Sequence, residues 1–127
     1  EKIKEAKDNF YITFDKEYFS PIGQNGWFNK DGERALFDQQ PIDTSAMVNA
    51  YISAYNTTEE NHYYEKAILA FNWFLGRNHL KQMIYNEETG GCHDGLGQYS
   101  INLNQGAEST ISYLLSRISL EELKRKS

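Results

Sequence analysis

Two polar stretches in this chain each open onto a run of apolar residues at helical spacing. They are "DQQP", residues 38–41, and "NQGAE", residues 104–108. Each sets an acid or amide first, then glutamine, then a residue with a small or fixed backbone. Asp38 and Glu108 are the carboxylates of this set, and a pair of carboxylates can divide the work of general acid and general base. Gln39, Gln40, Asn104 and Gln105 carry amides, which donate and accept hydrogen bonds but do not titrate. They suit the gripping of a hydroxyl-rich ligand or of one another. The third constellation is "GGCHDG", residues 90–95, where His93 and Asp94 follow Cys92 among glycines. Trp27 stands beside a turn and offers a flat face for stacking.

Each group also has a plainer reading. An acid at a helix start is stabilised by the helix dipole and the free amides there. His93 and Asp94 can pin the backbone of a tight glycine turn. Adjacent Cys and His side chains diverge, and no CxxC or HxxxH spacing is present, so neither a zinc site nor a Cys–His nucleophile is expected. No GxxxxGK[ST] occurs, and the glycines do not follow a strand in a dinucleotide-binding register. The sequence therefore asks for no metal, nucleotide or other cofactor. Asn56-Thr57-Thr58 is a formal glycosylation sequon but sits at an expected helix end.

The elements that must position these residues follow from periodicity. Ile3, Ala6 and Phe10 predict a first helix over residues 2–14. "NKDG", residues 29–32, lies between apolar ends and predicts a short β-hairpin over 27–37. Pro41 suits the first position of a helix, because its missing N–H would be unpaired there anyway. Met47, Ala50, Tyr51 and Ala54 form one stripe and Val48, Ile52 and Tyr55 another, which predicts an interior helix from Pro41 to about Tyr55. Thr57 and Glu60 have the spacing of a capping box for a second helix, ending near Gly76. The short connection makes the two antiparallel neighbours. A long aperiodic stretch follows. A last helix is expected from "NQGAES", with Asn104 as N-cap and Ala107, Ile111, Leu114, Leu115 and Ile118 as its buried face. Residues 119–127 are expected to fray into a charged tail.

Composition narrows the functional classes. The 127 residues make one small domain. The formal net charge is −5, so no general basic surface for nucleic acid or anionic lipid is available. No apolar run is long enough to span a membrane. The lone Cys92 cannot form an internal disulfide, which fits a reducing, cytoplasmic location. The first residues show neither an initiator Met nor a signal pattern, so the chain is expected to be part of a longer protein.

The order inner helix, tight turn, outer helix and polar return loop describes a helical hairpin. Hairpins that circle about an axis gather their inner-helix starts at one end, as in an α/α toroid. The expected fold class is thus mainly α, with antiparallel helical hairpins forming part of such a toroid. Its mouth would hold Asp38, Gln39, Gln40, Asn104, Gln105 and Glu108, with residues 89–97 beside them.

The motifs "FSPIG", "GW", "ERALFDQQPID", "AFNWFLGRN", "YNEETGGCHDGL" and "NQGAESTISYLL" cover residues 19–115. In content and order they resemble the C-terminal helical region of bacterial group 1 (GT-B) retaining glycosyltransferases, which is similar to a six-hairpin glycosidase toroid. The resemblance implies a single helical domain, 1–127, from the C-terminal part of a glycosyltransferase-like protein. It implies an accessory module that binds or positions carbohydrate in glycan assembly, inactive by itself because the nucleotide-sugar domains are missing. The ligand-binding residues would be Gln39, Gln40, Trp27, His93, Asp94, Asn104 and Gln105. Two other readings stand beside it. In one, the mouth is a glycan-acting hydrolase or epimerase site with Asp38 and Glu108 as catalytic acid and base, their separation setting the stereochemical course. In the other, the helices are a repeat scaffold for protein binding. An open toroid segment would also leave apolar helix faces uncovered, which favours homo-oligomers.

Overall fold

The computed structural model describes residues 10–12, 17–23 and 36–126. The fold is mainly helical, with two small antiparallel strand pairs. Strands β1 (Phe10–Ile12) and β2 (Glu17–Phe19) pair with Phe10 opposite Phe19. Then come helices α1 (Pro41–Thr58) and α2 (Asn61–Phe71), strands β3 (Gly95–Leu96) and β4 (Ile101–Asn102), and helix α3 (Ala107–Lys126).

The expected first helix is not formed at Phe10–Ile12, which is strand instead. "FYI" is aromatic and β-branched, types that pack well on a pleated surface. Phe10 sets its ring 5.3 Å from Phe19 and 5.8 Å from Tyr51 of α1, and the Lys66 ammonium of α2 lies over it, 4.2 Å from the ring centroid. Lys66 also pairs with Glu17. Tertiary packing thus outweighs the weak helical period. The hairpin expected at 27–37 falls mainly on residues outside those described, as does Trp27.

Helix α1 is the centre of the fold and packs against both α2 and α3, as two apolar stripes require. It starts at Pro41 as expected but runs a turn past Tyr55. Thr57 and Thr58 do not cap the next helix. Their hydroxyls donate back to the carbonyls of Ser53 and Ala54, at 2.9 and 2.8 Å. Glu59 then takes a left-handed φ of 59°, and its amide donates to Tyr55 O at 2.8 Å. This is the single-bond αL stop. With Glu59 and Glu60 as the whole connection, α1 and α2 lie antiparallel.

Helix α2 is regular to Phe71, and tighter turns carry the chain on to Gly76. There the Gly76 amide donates to Trp73 O and the Arg77 amide to Asn72 O, with Gly76 at φ 106°. That bond pair is a Schellman stop, and only glycine adopts this φ without strain. The stop at Gly76 therefore matches the expectation. The tightened turn buries Phe71, Trp73 and Phe74 together; Trp73 meets Phe74 edge-on, and the Phe71 and Phe74 rings meet Tyr113 of α3, which stacks face to face on Tyr85 at 4.2 Å.

Helix α3 overturns three expectations. It begins after Gly106, not at Asn104, and it continues through the expected tail because Leu120 and Leu123 are buried. Its buried face is Ser109, Ser112, Tyr113, Ser116, Leu120 and Leu123. The expected apolar face is outside: Ile111, Leu115 and Ile118 are more than half exposed, and Leu114 is 42% exposed. The serines win the inner position because they are small enough for close approach to α1. Ser116 Oγ lies 2.8 Å from Ser45 Oγ and 2.9 Å from Ser112 O. With one hydrogen per hydroxyl, Ser116 donates to the carbonyl and accepts from Ser45.

Candidate functional site

The aperiodic stretch between α2 and α3 is built from two hairpins. The first turns at residues 86–91. Asn86 Oδ1 accepts from the Glu88 and Thr89 amides, and Gly90 closes the turn at φ 76°. The His93 amide donates to Ile84 O and Tyr85 bridges Cys92. The second hairpin joins β3 to β4 through Gly97–Ser100, whose terminal amide and carbonyl bond at 2.9 Å. The His79 ring Nε2 reaches Gly97 O at 3.0 Å and Gln98 O at 3.2 Å. Carbonyls only accept, so Nε2 carries the hydrogen and staples this turn.

Both expected helix starts are fastened to the loop between the hairpins. Gln39 exchanges backbone bonds with Leu96 at 2.8 and 2.9 Å, so the segment before α1 acts as a further strand on β3. Asp94 Oδ1 accepts from the Gly106 amide at 2.7 Å, and the Asp94 amide donates to Asn104 O at 2.8 Å. Residues 94 and 96 are at most about 7 Å apart along an extended chain. The starts of α1 and α3 therefore lie at one end of the domain, as the two polar stretches suggested. At Gly106 an added Cβ would come within 2.9 Å of Asp94 Oδ1, so the missing side chain is what permits this clasp.

The individual side chains then divide sharply. Gln39 is buried, and its amide is committed inside the protein. Its Nε2 donates to Ser20 Oγ at 2.8 Å and to Leu36 O at 3.0 Å, while its Oε1 accepts from the Trp73 indole at 2.9 Å. Asp94 holds the amide ahead of α3, a carboxylate capping a helix from a distant loop. Gln105 Oε1 accepts from the Thr89 hydroxyl at 2.7 Å, and that hydroxyl accepts from the Gly91 amide. His93 Nδ1 donates to Leu103 O at 3.2 Å, which leaves Nε2 as its acceptor nitrogen when the ring is neutral.

Facing outward are Asp38, Asn104 and Glu108, with Gln40 half-buried before Pro41. Asp38 stands beside Gly97, where an added Cβ would meet its Oδ1 at 3.4 Å. Asn104 is not the N-cap; its amide donates to Asn102 Oδ1 at 3.2 Å. The residue the sequence did not single out is Tyr99. It sits at the tip of the β3–β4 turn and is 83% exposed, the most exposed of the large apolar side chains described. An aromatic residue flanked by Gly97, Gln98 and Ser100 is the signal that could have found it, since turn tips face solvent.

Cys92 completes the picture as a packing residue. It is fully buried, its amide donates to the Thr110 hydroxyl, and its thiol donates to His93 O. Burial, with the Asp94 charge adding to it, pushes the thiol up to about 12. A thiol so held stays protonated at neutral pH and is no nucleophile. Among the described residues, no three His, Cys, Asp or Glu side chains gather as a metal site. None of the described helices is long and apolar enough to cross a membrane. No family model and no curated protein matches the chain.

Proposed function

We propose that this chain is a carbohydrate-binding helical module of a glycosyltransferase-like protein, positioning a glycan at the end where α1 and α3 begin. The observation that carries this reading is the β3–β4 hairpin, clasped to both helix starts and presenting Tyr99. An exposed ring on a braced turn, with Asp38 beside Gly97 of that turn and Asn104, Glu108 and the His93 Nε2 toward the open end of the hairpin, is the chemistry sugars are held by. The ring covers the C–H face, while amide, carboxylate and imidazole meet the hydroxyls. Gln39, Asp94 and Gln105 belong to the frame of such a site, since their side chains are engaged within the protein.

The test is a titration with oligosaccharides followed by amide and side-chain NMR. Shifts are expected at Tyr99, His93 and Asn104, and Tyr99→Ala should weaken binding by about tenfold, the equivalent of one stacking contact. Unmoved resonances at about 10 mM saccharide, a concentration that reveals even feeble sites, refute the reading. A protein-binding role is favoured by one separate observation, the apolar outer face of α3.

A further inference from the structure

We propose that the outer face of α3 is a self-association surface, on which a second copy of this chain docks its own α3 in antiparallel orientation. The argument starts from an inversion. Ile111, Leu114, Leu115 and Ile118 have the i, i+3, i+4, i+7 spacing of one helix stripe, yet the fold turns Ser109, Ser112 and Ser116 inward and leaves that stripe exposed at 42–55%. Scattered exposed apolar side chains are ordinary on protein surfaces; four contiguous ones on two adjacent turns of a helix are a patch.

Three features select a second copy as the occupant. The first is shape. The spacing is that of a coiled-coil seam, whose knobs fit the holes of an identical stripe. The helix is already folded against α1, so pairing does not have to order it. The second is area. Each side chain presents on the order of 100 Å², so two stripes remove roughly 800 Å² of apolar surface, and a polar rim brings the pair near the roughly 1,200 Å² at which specific interfaces begin. That predicts a reversible dimer. The third is the helix dipole. Antiparallel packing about an axis near Leu115 opposes the two α3 dipoles, whereas parallel packing aligns them. A two-fold pair of this kind uses the same patch on both copies and closes on itself.

Sedimentation velocity over a concentration series tests the proposal. Wild type should move from monomer to dimer through the micromolar range, and Leu115→Glu should weaken dimerisation at least tenfold while its circular dichroism stays that of wild type. Ile118→Glu is a second variant with the same expected result. Orientation is read by disulfide capture. Leu115→Cys, near the two-fold axis, should cross-link to itself, and Arg125→Cys, at one end, should not. A chain that stays monomeric at about 0.5 mM overturns the proposal and assigns the stripe to a different polypeptide. A dimer indifferent to both glutamate variants also overturns it, and self-cross-linking through Arg125→Cys overturns the antiparallel geometry. Sugar binding at Tyr99 lies on a different element, so either proposal can fail without the other.

Discussion

The end of the domain where α1 and α3 begin and the outer face of α3 have opposite arrangements of polarity. At the helix starts, the central polar side chain, Gln39, is drawn in, while Asp38, Asn104 and Glu108 stay on the rim. Gln39 is 1% exposed and reaches Ser20, Leu36 and Trp73. Along the outer face of α3, leucines and isoleucines are turned out while serines are buried. The difference teaches where free binding capacity resides. A buried amide with its hydrogen bonds made is a structural device, however suggestive its sequence. An apolar stripe in water retains its full hydrophobic driving force. At the helix starts, capacity for a ligand remains only on the rim, at Tyr99, His93, Asn104, Asp38 and Glu108.

The largest effect should come from cutting the inward network. Gln39→Leu strands the buried Trp73 indole and removes the bonds to Ser20 and Leu36. At about 2 kcal/mol for the stranded indole and about 1 kcal/mol for each of the two lost bonds, the loss of stability should be about 4 kcal/mol by urea denaturation. A loss under about 1 kcal/mol would mean that the network is replaceable and the contrast false. Next is a matched pair on α3. Leu120→Ala, on the buried side, should cost about 3 kcal/mol. Leu115→Ala, on the exposed side, should cost under about 0.5 kcal/mol when measured at dilution. Equal losses would show that the stripe is covered within the single chain.

A smaller effect is expected at the clasp. Asp94→Ala removes the carboxylate from the Gly106 amide and should cost about 1–2 kcal/mol. Hydrogen exchange should show the first turn of α3 opening more readily, with the turn around Leu120 unchanged. The smallest effect at neutral pH concerns Cys92. Its thiol is raised from the usual 9 to about 12. The folded chain therefore keeps a proton that the unfolded chain gives up. That contribution to stability is complete below about pH 9 and declines as pH rises from about 9 to about 12. Burial also raises Tyr51 and Tyr113, which acts in the same alkaline direction. Cys92→Ser should flatten the onset of alkaline unfolding. Thiol alkylation at pH 8 should stay slow until denaturant is added.

Particular residues show why sequence and structure part company. Pro41 and Gly76 were readable because each acts through its own backbone: one by a fixed φ, the other by tolerance of a positive φ. Thr57 and Glu60 were misread because a capping box and a hydroxyl bonded four residues back have the same local spelling. What separates them is that Glu59 accepts a left-handed φ. The face of α3 was inverted because periodicity reports which residues share a side, not which side meets a neighbour. Close approach to α1, through Ser45 and Ser116, settled that.

Taken by itself, the sequence determined a mainly helical fold and the period of α1. It also determined the helix starts at which polar residues collect and the absence of a broad cationic surface. These depend on backbone preference, spacing and composition, which are local or additive. Only the tertiary structure decided that Gln39 faces Trp73 and Ser20, that Asp94 clasps Gly106, and that α3 presents Ile111, Leu114, Leu115 and Ile118 to solvent. Each of those depends on contacts between residues 12 to 71 positions apart. Contacts at that separation are fixed by which surfaces fit together, and no local spelling encodes the fit.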